Sequence, residues 1–195
     1  MKKPLICSLL ATLALAVAAP GAMAESLDDY LKPRCGVEDQ FPLDRILATY
    51  GDEIVARAQG FLMLEPTAEN NNLIWMLGLL RTQEALTLSA RIVEEGNPDF
   101  RRMSMGAVSF RPDWPGVMRV LDGADDPEEM TRDSATSVLA DIDFSASVFQ
   151  GKGAPTHRDA AVARLRALAA AETNARLKGN LQTALAHIQQ QVSGS

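Results

Sequence analysis

The sequence is poor in cysteine, in aromatic residues and in strand-like patterns. Of its 195 residues, two are cysteine and 5% are aromatic. β-Sandwiches and carbohydrate-binding grooves depend on Tyr and Trp for their cores and contact areas, so this composition argues against both. No alternating run of β-branched and aromatic residues exceeds about four positions, which is too short for a typical strand. Hydrophobic residues make up 47% and charged residues 23%, which excludes a disordered tail, a collagen-like fibre and a disulfide-dense scaffold.

The N-terminus has the three parts of a secretory signal. Two lysines precede an apolar run from Leu5 to Ala19, and an Ala-x-Ala cleavage site ends at Ala24. The apolar run is too short to span a bilayer comfortably as a helix, so an uncleaved anchor is the disfavoured alternative. We therefore expect residues 1–24 to be a signal peptide and residues 25–195 to form a single all-α domain. The expected location is the bacterial periplasm or the extracellular medium, with no membrane anchor after cleavage.

Cleavage would change both the charge and the number of thiols. It removes two lysines and no acidic residue, so the formal charge falls from −6 to −8. Nucleic acids and anionic membranes attract basic patches, and we expect neither as a partner. Cys7 lies within the signal, which leaves Cys35 as the single thiol and excludes an internal disulfide. Cys35 is expected either to be buried and inert or to be exposed for an intermolecular bridge.

Helical periodicity dominates the first half of the mature chain. Apolar residues recur at the 3.6-residue period between Leu43 and Leu64, where Gly51 is a candidate break between two helices. A second helix is predicted from Pro66 to Arg81, with the proline in its first turn. A third is predicted from Thr82 to Glu95, and Gly96 is a natural stop for it.

The signals for helix starts then repeat. Asn97-Pro98-Asp99 combines an N-cap, a proline at the first helical position and an acid in the first turn. Asp126-Pro127-Glu128 offers the same chemistry 29 residues later. Near the C-terminus, the segment from Arg158 to Gln191 is rich in Ala and Leu and is predicted to form two packed helices that break near residues 172–174. Helix–turn–helix units that repeat at this spacing indicate a stacked helical array.

The residues of these units carry a family resemblance. They are Asn97-Pro98-Asp99-Phe100-Arg101-Arg102 with Met105, Ala107 and Val108; Asp126-Pro127-Glu128 with Arg132, Ala135 and Val138; and Leu177, Leu181, Ala184, Leu185 and Ile188. Over about residues 82–191 the pattern resembles HEAT repeats. The resemblance implies an all-α fold, a short α-solenoid of antiparallel helix pairs. An irregular helical bundle with ordinary proline caps is the alternative.

Motifs for chemistry are missing from the sequence. The acidic cluster of residues 122–129 does not fit a calcium loop, because Pro127 interrupts it and the ligand spacing fails. Two histidines, His157 and His187, are too few to make a zinc site with one remaining cysteine. No hydrolase elbow, metalloprotease motif or phosphate loop is present. We therefore predict no metal, no cofactor and no catalysis, and a hydrolase with an unrecognised site at Cys35 or His157 stays as an alternative.

Binding of another protein is the predicted function. Trp114 lies between two prolines, either as an exposed anchor or as a core residue that closes the seam between two helix pairs. Residues 143–157 form the one long irregular stretch, in which Phe144, Val148 and Phe149 either cap the stack or border a contact loop. The candidate partner-binding residues are Arg101, Arg111, Trp114, Gln150, Lys152 and His157. An inhibitor or immunity protein for a secreted toxin is the specific version, and a scaffold in an envelope assembly is a further alternative.

Overall fold

The computed structural model describes residues 26–32, 42–150 and 154–193, with side chains described as far as residue 190. Within these ranges the chain forms nine α-helices, two short 3₁₀ turns and no strand. The helices are α1 (Leu27–Leu31), α2 (Leu43–Ala58), α3 (Ala68–Leu79), α4 (Gln83–Glu95), α5 (Pro98–Phe110), α6 (Trp114–Gly123), α7 (Glu129–Asp141), α8 (Ala154–Ala171) and α9 (Ala175–Ser193). The all-α class predicted from the periodicity is confirmed for this part of the chain. No helix in it is long and apolar enough to cross a membrane.

Side-chain caps begin three consecutive helices, and one of these caps is the Asn97 that the sequence predicts. The Thr82 hydroxyl accepts a hydrogen bond from the backbone N–H of Ala85 at 3.3 Å and caps α4. The Asn97 side chain accepts from the backbone N–H of Phe100 at 3.0 Å, with Pro98 as the first residue of α5. Asp113 caps α6 in the same way. Each cap satisfies a backbone donor that the first turn of a helix leaves without a partner.

Two predicted features of the first helices are wrong. Gly51 does not break the first helix, because α2 continues through it to Ala58. A single interior glycine costs a helix only about 1 kcal/mol, which packing on a core readily offsets. Pro66 lies outside α3, since Thr67 is the N-cap and its hydroxyl accepts from the backbone N–H of Asn70 at 3.2 Å.

The second proline turn does not repeat the first one. Helix α7 begins at Glu129, two residues after Pro127. The Asp126 side chain accepts a hydrogen bond from the backbone N–H of Glu128 at 2.8 Å, so it closes a turn ahead of the helix instead of capping its first turn. The predicted break in the C-terminal segment is confirmed, because α8 ends at Ala171 and α9 begins at Ala175.

The helices pack in two alternating rows. In one row α3 packs against α5, α5 against α7 and α7 against α9, while in the other α2, α4, α6 and α8 pack in succession. Helix α1 packs on α3. The consecutive helices α4 and α5, α6 and α7, and α8 and α9 also pack against each other, so each of three short turns joins a helix of one row to a helix of the other.

The buried side chains form two apolar clusters that meet at α5. Phe100 and Ala107 belong to the cluster built on α1 to α4. Met105 and Val108 belong to the cluster built with α6 to α9. Positions of one helix that are a turn apart share a face, so α5 presents one face to each cluster. Helix α5 is therefore the central element between the two halves of the core.

The loops and turns between the helices form two groups. The members of each group contact one another. The turns inside the three pairs, with their flanking residues, are named here the turn edge: residues 96–102, 124–132 and 172–176. The loops that lead into α4, α6 and α8, with their flanking residues, are named the loop edge: residues 80–82, 110–115, 142–150 and 154–158. The side-chain contacts described next hold each group together.

Candidate protein-binding surface

Ion pairs join successive turns of the turn edge. Arg101 Nη1 of α5 lies 2.6 Å from Asp126 Oδ2 in the next turn. Arg132 Nε of α7 lies 3.1 Å from Glu172 Oε2 in the turn after that. Both carboxylate side chains are largely buried, so these pairs are shielded from solvent and strong for their type. Arg101 was predicted to contact a partner, but its guanidinium is engaged inside the fold.

The environment of Glu172 stabilises its charged form. Its carboxylate accepts a hydrogen bond from the backbone N–H of Asn174 at 2.8 Å and a second from Arg132. The backbone hydrogen bond and then the Arg132 contact hold the pKa of Glu172 below its ordinary value, against the opposite effect of burial. The charged form is therefore part of the structure of the last turn.

Arg81 ties together two loops of the loop edge. Its Nη1 donates to the backbone oxygens of Gly78 and Leu80, each at 3.2 Å. Its Nη2 donates to the backbone oxygen of Arg111, and its Nε lies 3.1 Å from Asp113 Oδ2. One arginine thus satisfies carbonyl groups at the end of α3 and also holds the N-cap residue of α6. This role of Arg81 could not be predicted from the sequence, because its contacts depend on tertiary packing.

Arg111, a predicted contact residue, projects from the loop between α5 and α6. Its guanidinium forms an ion pair with Asp44 in the first turn of α2, and about a third of its side chain remains exposed. Asp44 is itself exposed, so the pair is open to solvent and contributes little to stability. Loss of the contact between Arg111 and Asp44 would therefore cost the fold little stability.

Trp114 lies at the seam between helices and not on the surface. It is 8% exposed, and its ring packs edge-on against Phe149 with centroids 5.0 Å apart and beside Phe144 at 6.0 Å. Its indole N–H donates to the backbone oxygen of Phe149 at 3.4 Å. The exposed ring of His157 stacks on it, with centroids 6.3 Å apart and planes 18° apart. Of the two readings of Trp114, this geometry fits closure of the seam and does not fit a free anchor.

The loop before α8 brings further predicted residues to the same place. Gln150 is exposed and lines a cavity of about 110 Å³ together with Trp114, Pro155 and Arg158. His157 follows in the first turn of α8. Arg111, Trp114, Gln150 and His157 therefore all belong to the loop edge, although 46 positions separate the first from the last. Two residues singled out from the sequence, Lys152 and Cys35, lie outside the described residues.

The loop edge carries two large exposed apolar side chains. Phe110 is 65% exposed at the end of α5, and its ring meets Trp75 edge-to-face with centroids 5.2 Å apart. Val148 is 50% exposed in the 3₁₀ turn before α8, whereas its neighbours Phe144 and Phe149 are buried. Large apolar groups beside exposed polar and cationic ones are the usual composition of a protein interface. Sequence reasoning missed Phe110, which follows the helical apolar period and gives no sign of exposure.

Two other places on the surface carry exposed apolar groups. Met130 is 63% exposed at the start of α7 on the turn edge. Leu62 and Met63 are exposed in the 3₁₀ turn after α2, at the end of that helix where an open groove of about 680 Å³ also lies. The groove is lined by Gln59, Gln83, Glu84, Thr87, Leu88 and Arg91. Five of the six lining residues have polar side chains, but the surface that they present to the groove is mostly apolar. The loop edge differs from this groove in that three separate loops and four of the predicted contact residues meet there.

The described residues contain no group of histidine, cysteine and carboxylate side chains that is arranged to hold a metal ion. Two acidic residues of the segment 122–129 are engaged with arginines: Asp122 Oδ1 lies 2.7 Å from Arg164 Nη1, and Asp126 pairs with Arg101. No family model, curated protein or solved structure matches the chain.

Proposed function

We propose that the mature chain is an exported helical-repeat protein, periplasmic or secreted, that acts by binding another protein through its loop edge. The observation that carries the proposal is the convergence of three separate loops on one surface. That surface combines two exposed apolar side chains, Phe110 and Val148, with the solvent-open Arg111 and His157. Aromatic and arginine side chains of this kind supply much of the affinity in protein interfaces.

The proposal includes an architecture, a short α-solenoid of antiparallel helix pairs that resembles HEAT repeats. The packing of every second helix in two rows supports it. Turns of a few residues between packed helices favour antiparallel neighbours. The two ion pairs from a second helix to the next turn, Arg101 to Asp126 and Arg132 to Glu172, support a repeated arrangement. A solenoid displays side chains from successive units on one continuous surface, which suits recognition of a large partner.

An inhibitor or immunity protein is the specific form of this proposal. The expected charge of −8 supports this form, because it favours a basic partner at long range. A small acidic domain that covers the surface of a secreted protein needs no chemistry of its own. A scaffold in an envelope assembly would use the same surface but would engage several different proteins.

Capture of partners from an envelope extract tests the proposal. The bait is the mature chain, compared with Val148→Asp on the loop edge and with Met130→Asp on the turn edge. Both substitutions place a charge on an exposed apolar position, at 50% and 63% exposure, so neither is expected to disturb the core. The first is expected to abolish capture because it charges the contact surface, and the second is expected to leave capture unchanged.

The number of captured proteins separates the versions of the proposal. One stoichiometric partner supports an inhibitor or immunity protein, and many partners support a scaffold. If Val148→Asp and Met130→Asp reduce capture equally, binding through the loop edge is contradicted. If the mature chain captures no protein at all, both the inhibitor and the scaffold versions are contradicted. The architecture has a separate test: an experimental structure with fewer than three consecutive antiparallel helix pairs side by side would exclude the solenoid.

A further inference from the structure

Arg119 on α6 is a buried cation without a counter-charge in contact. It is 6% exposed, and its three side-chain nitrogens are all buried with no hydrogen-bond partner among the described residues. Burial is the main cause that lowers the pKa of Arg119. A guanidinium nevertheless stays protonated in proteins, so the site holds a positive charge with unused N–H donors.

The Asp113 carboxylate acts electrostatically on Arg119, but it is already paired with other groups. The charge of Asp113 raises the pKa of Arg119, and that of Arg81 lowers it, so both groups are within electrostatic range. Asp113 Oδ2, however, pairs with Arg81, and its Oδ1 accepts the backbone N–H of Gly116 at 2.7 Å. Asp113 therefore neutralises Arg81 and leaves Arg119 as the excess positive charge of the group.

The sequence of α6 removes the usual intrahelical partners of an arginine. Arg91 in α4 begins a similar local sequence, Arg-Ile-Val-Glu against Arg-Val-Leu-Asp from Arg119, and it pairs with Glu95 four residues later at 2.9 Å. The residue four after Arg119 is Gly123, where a Cβ would lie 2.0 Å from the Met105 sulfur, so close packing on α5 favours glycine over any larger residue. Asp122, three residues after Arg119, pairs instead with a residue of α8. Arg119 is thus left without a partner by the packing of its own helix.

We propose that Arg119 anchors a binding site for an oxyanion on α6, beside the loop-edge residues Arg81 and Asp113. A planar guanidinium presents two parallel N–H groups that match the two oxygens of a carboxylate or a phosphate. Because Asp113 offsets the charge of Arg81, Arg119 supplies both the excess positive charge and the hydrogen bonds. The anion is either a free ion or a carboxylate that a protein partner carries. This inference goes beyond protein binding and does not depend on it.

Thermal unfolding of the mature chain at constant ionic strength tests the site. The probes are sodium phosphate, sodium acetate and a triglutamate peptide, each titrated against sodium chloride as the reference. Arg119→Met removes the donors and keeps the side-chain volume, and Arg166→Met on the exposed surface of α8 is the matched control. For the wild type and the control, Tm is expected to rise by about 5 °C or more when the anion reaches roughly 100 times its Kd. Arg119→Met is expected to show no rise beyond chloride.

The three probes also identify the source of the anion. Saturation at a lower concentration of phosphate or acetate than of triglutamate indicates a free ion, and the reverse order indicates a protein-borne carboxylate. An equal rise in Arg119→Met, or no rise beyond chloride in the wild type, overturns the site. If Arg119→Met fails to fold, Arg119→Lys replaces it as the test variant, because lysine keeps the charge but lacks the paired N–H donors. An unchanged apparent Kd for the anion in Arg119→Lys also overturns the site. None of these readouts involves a protein partner, so failure here leaves the proposed function untouched.

Discussion

The close approach of α3 and α5 leaves no room for a side chain at Gly78. A Cβ at Gly78 would lie 2.6 Å from the Cβ of Ala107 and 3.0 Å from the backbone oxygen of Ser104. Both neighbours belong to the backbone or to its first side-chain atom, so neither can rotate away. Gly78→Ala must therefore push the two helices apart at the centre of the first apolar cluster.

The expected magnitude follows from two opposing effects. Alanine in place of glycine inside a helix stabilises by roughly 0.5–1 kcal/mol, because the unfolded chain loses less freedom. Forcing a methyl group into a filled core costs about 1–3 kcal/mol. We expect Gly78→Ala to lower the free energy of unfolding by about 1 kcal/mol or more. Gly106 on α5 has nothing within 4 Å of its Cβ position, so Gly106→Ala is expected to raise it by about 0.5–1 kcal/mol.

Urea unfolding followed by circular dichroism measures both changes. The two variants carry the same chemical substitution in two helices that pack together, so the difference between them isolates the effect of space. That difference is expected to be about 2 kcal/mol, or roughly 4–8 °C in Tm for a domain of this size. Changes of the same sign and size in the two variants would refute the packing of α3 on α5 described above.

Other predictions concern the turn edge. Arg101→Met is expected to destabilise by about 3 kcal/mol because it leaves the buried Asp126 carboxylate without its cation, whereas removal of the exposed Arg176 should cost less than about 1 kcal/mol. A double-mutant cycle with Asp126→Asn measures the coupling, and a coupling near zero would contradict the pair. Below pH 4.5, the ordinary pKa of Glu172, stability is expected to fall as pH falls through the lowered pKa of the folded state. Glu172→Gln should remove this part of the pH dependence in urea titrations between pH 7 and 3, and an unchanged profile would contradict it.

Features that depend on a few neighbouring residues could be predicted from the sequence. Asn97 was predicted as a cap, and its side chain does bond to a backbone N–H three residues later. The break at residues 172–174 follows in the same way from residues that favour helix ends. These effects act within one turn of chain, which is the distance over which sequence patterns are informative.

Features that depend on packing could not be predicted in this way. Asp126 resembles Asn97 in sequence, but its carboxylate is drawn to Arg101 and to a turn, so the following helix starts later. Arg91 and Arg119 begin similar local sequences, Arg-Ile-Val-Glu and Arg-Val-Leu-Asp, yet the first is exposed beside an acid and the second is buried. The difference arises from neighbouring helices and is invisible in the local sequence. For the same reason the loop edge became visible only when three distant loops were placed together.

Site-specific photo-crosslinking in cells that produce the protein tests binding through the loop edge most directly. A photoreactive amino acid is placed at Val148 on the loop edge or at Met130 on the turn edge, two exposed apolar positions. Position 148 is expected to give one discrete crosslinked product with another protein, and position 130 is expected to give none. A product at position 130 with none at position 148 would contradict binding through the loop edge.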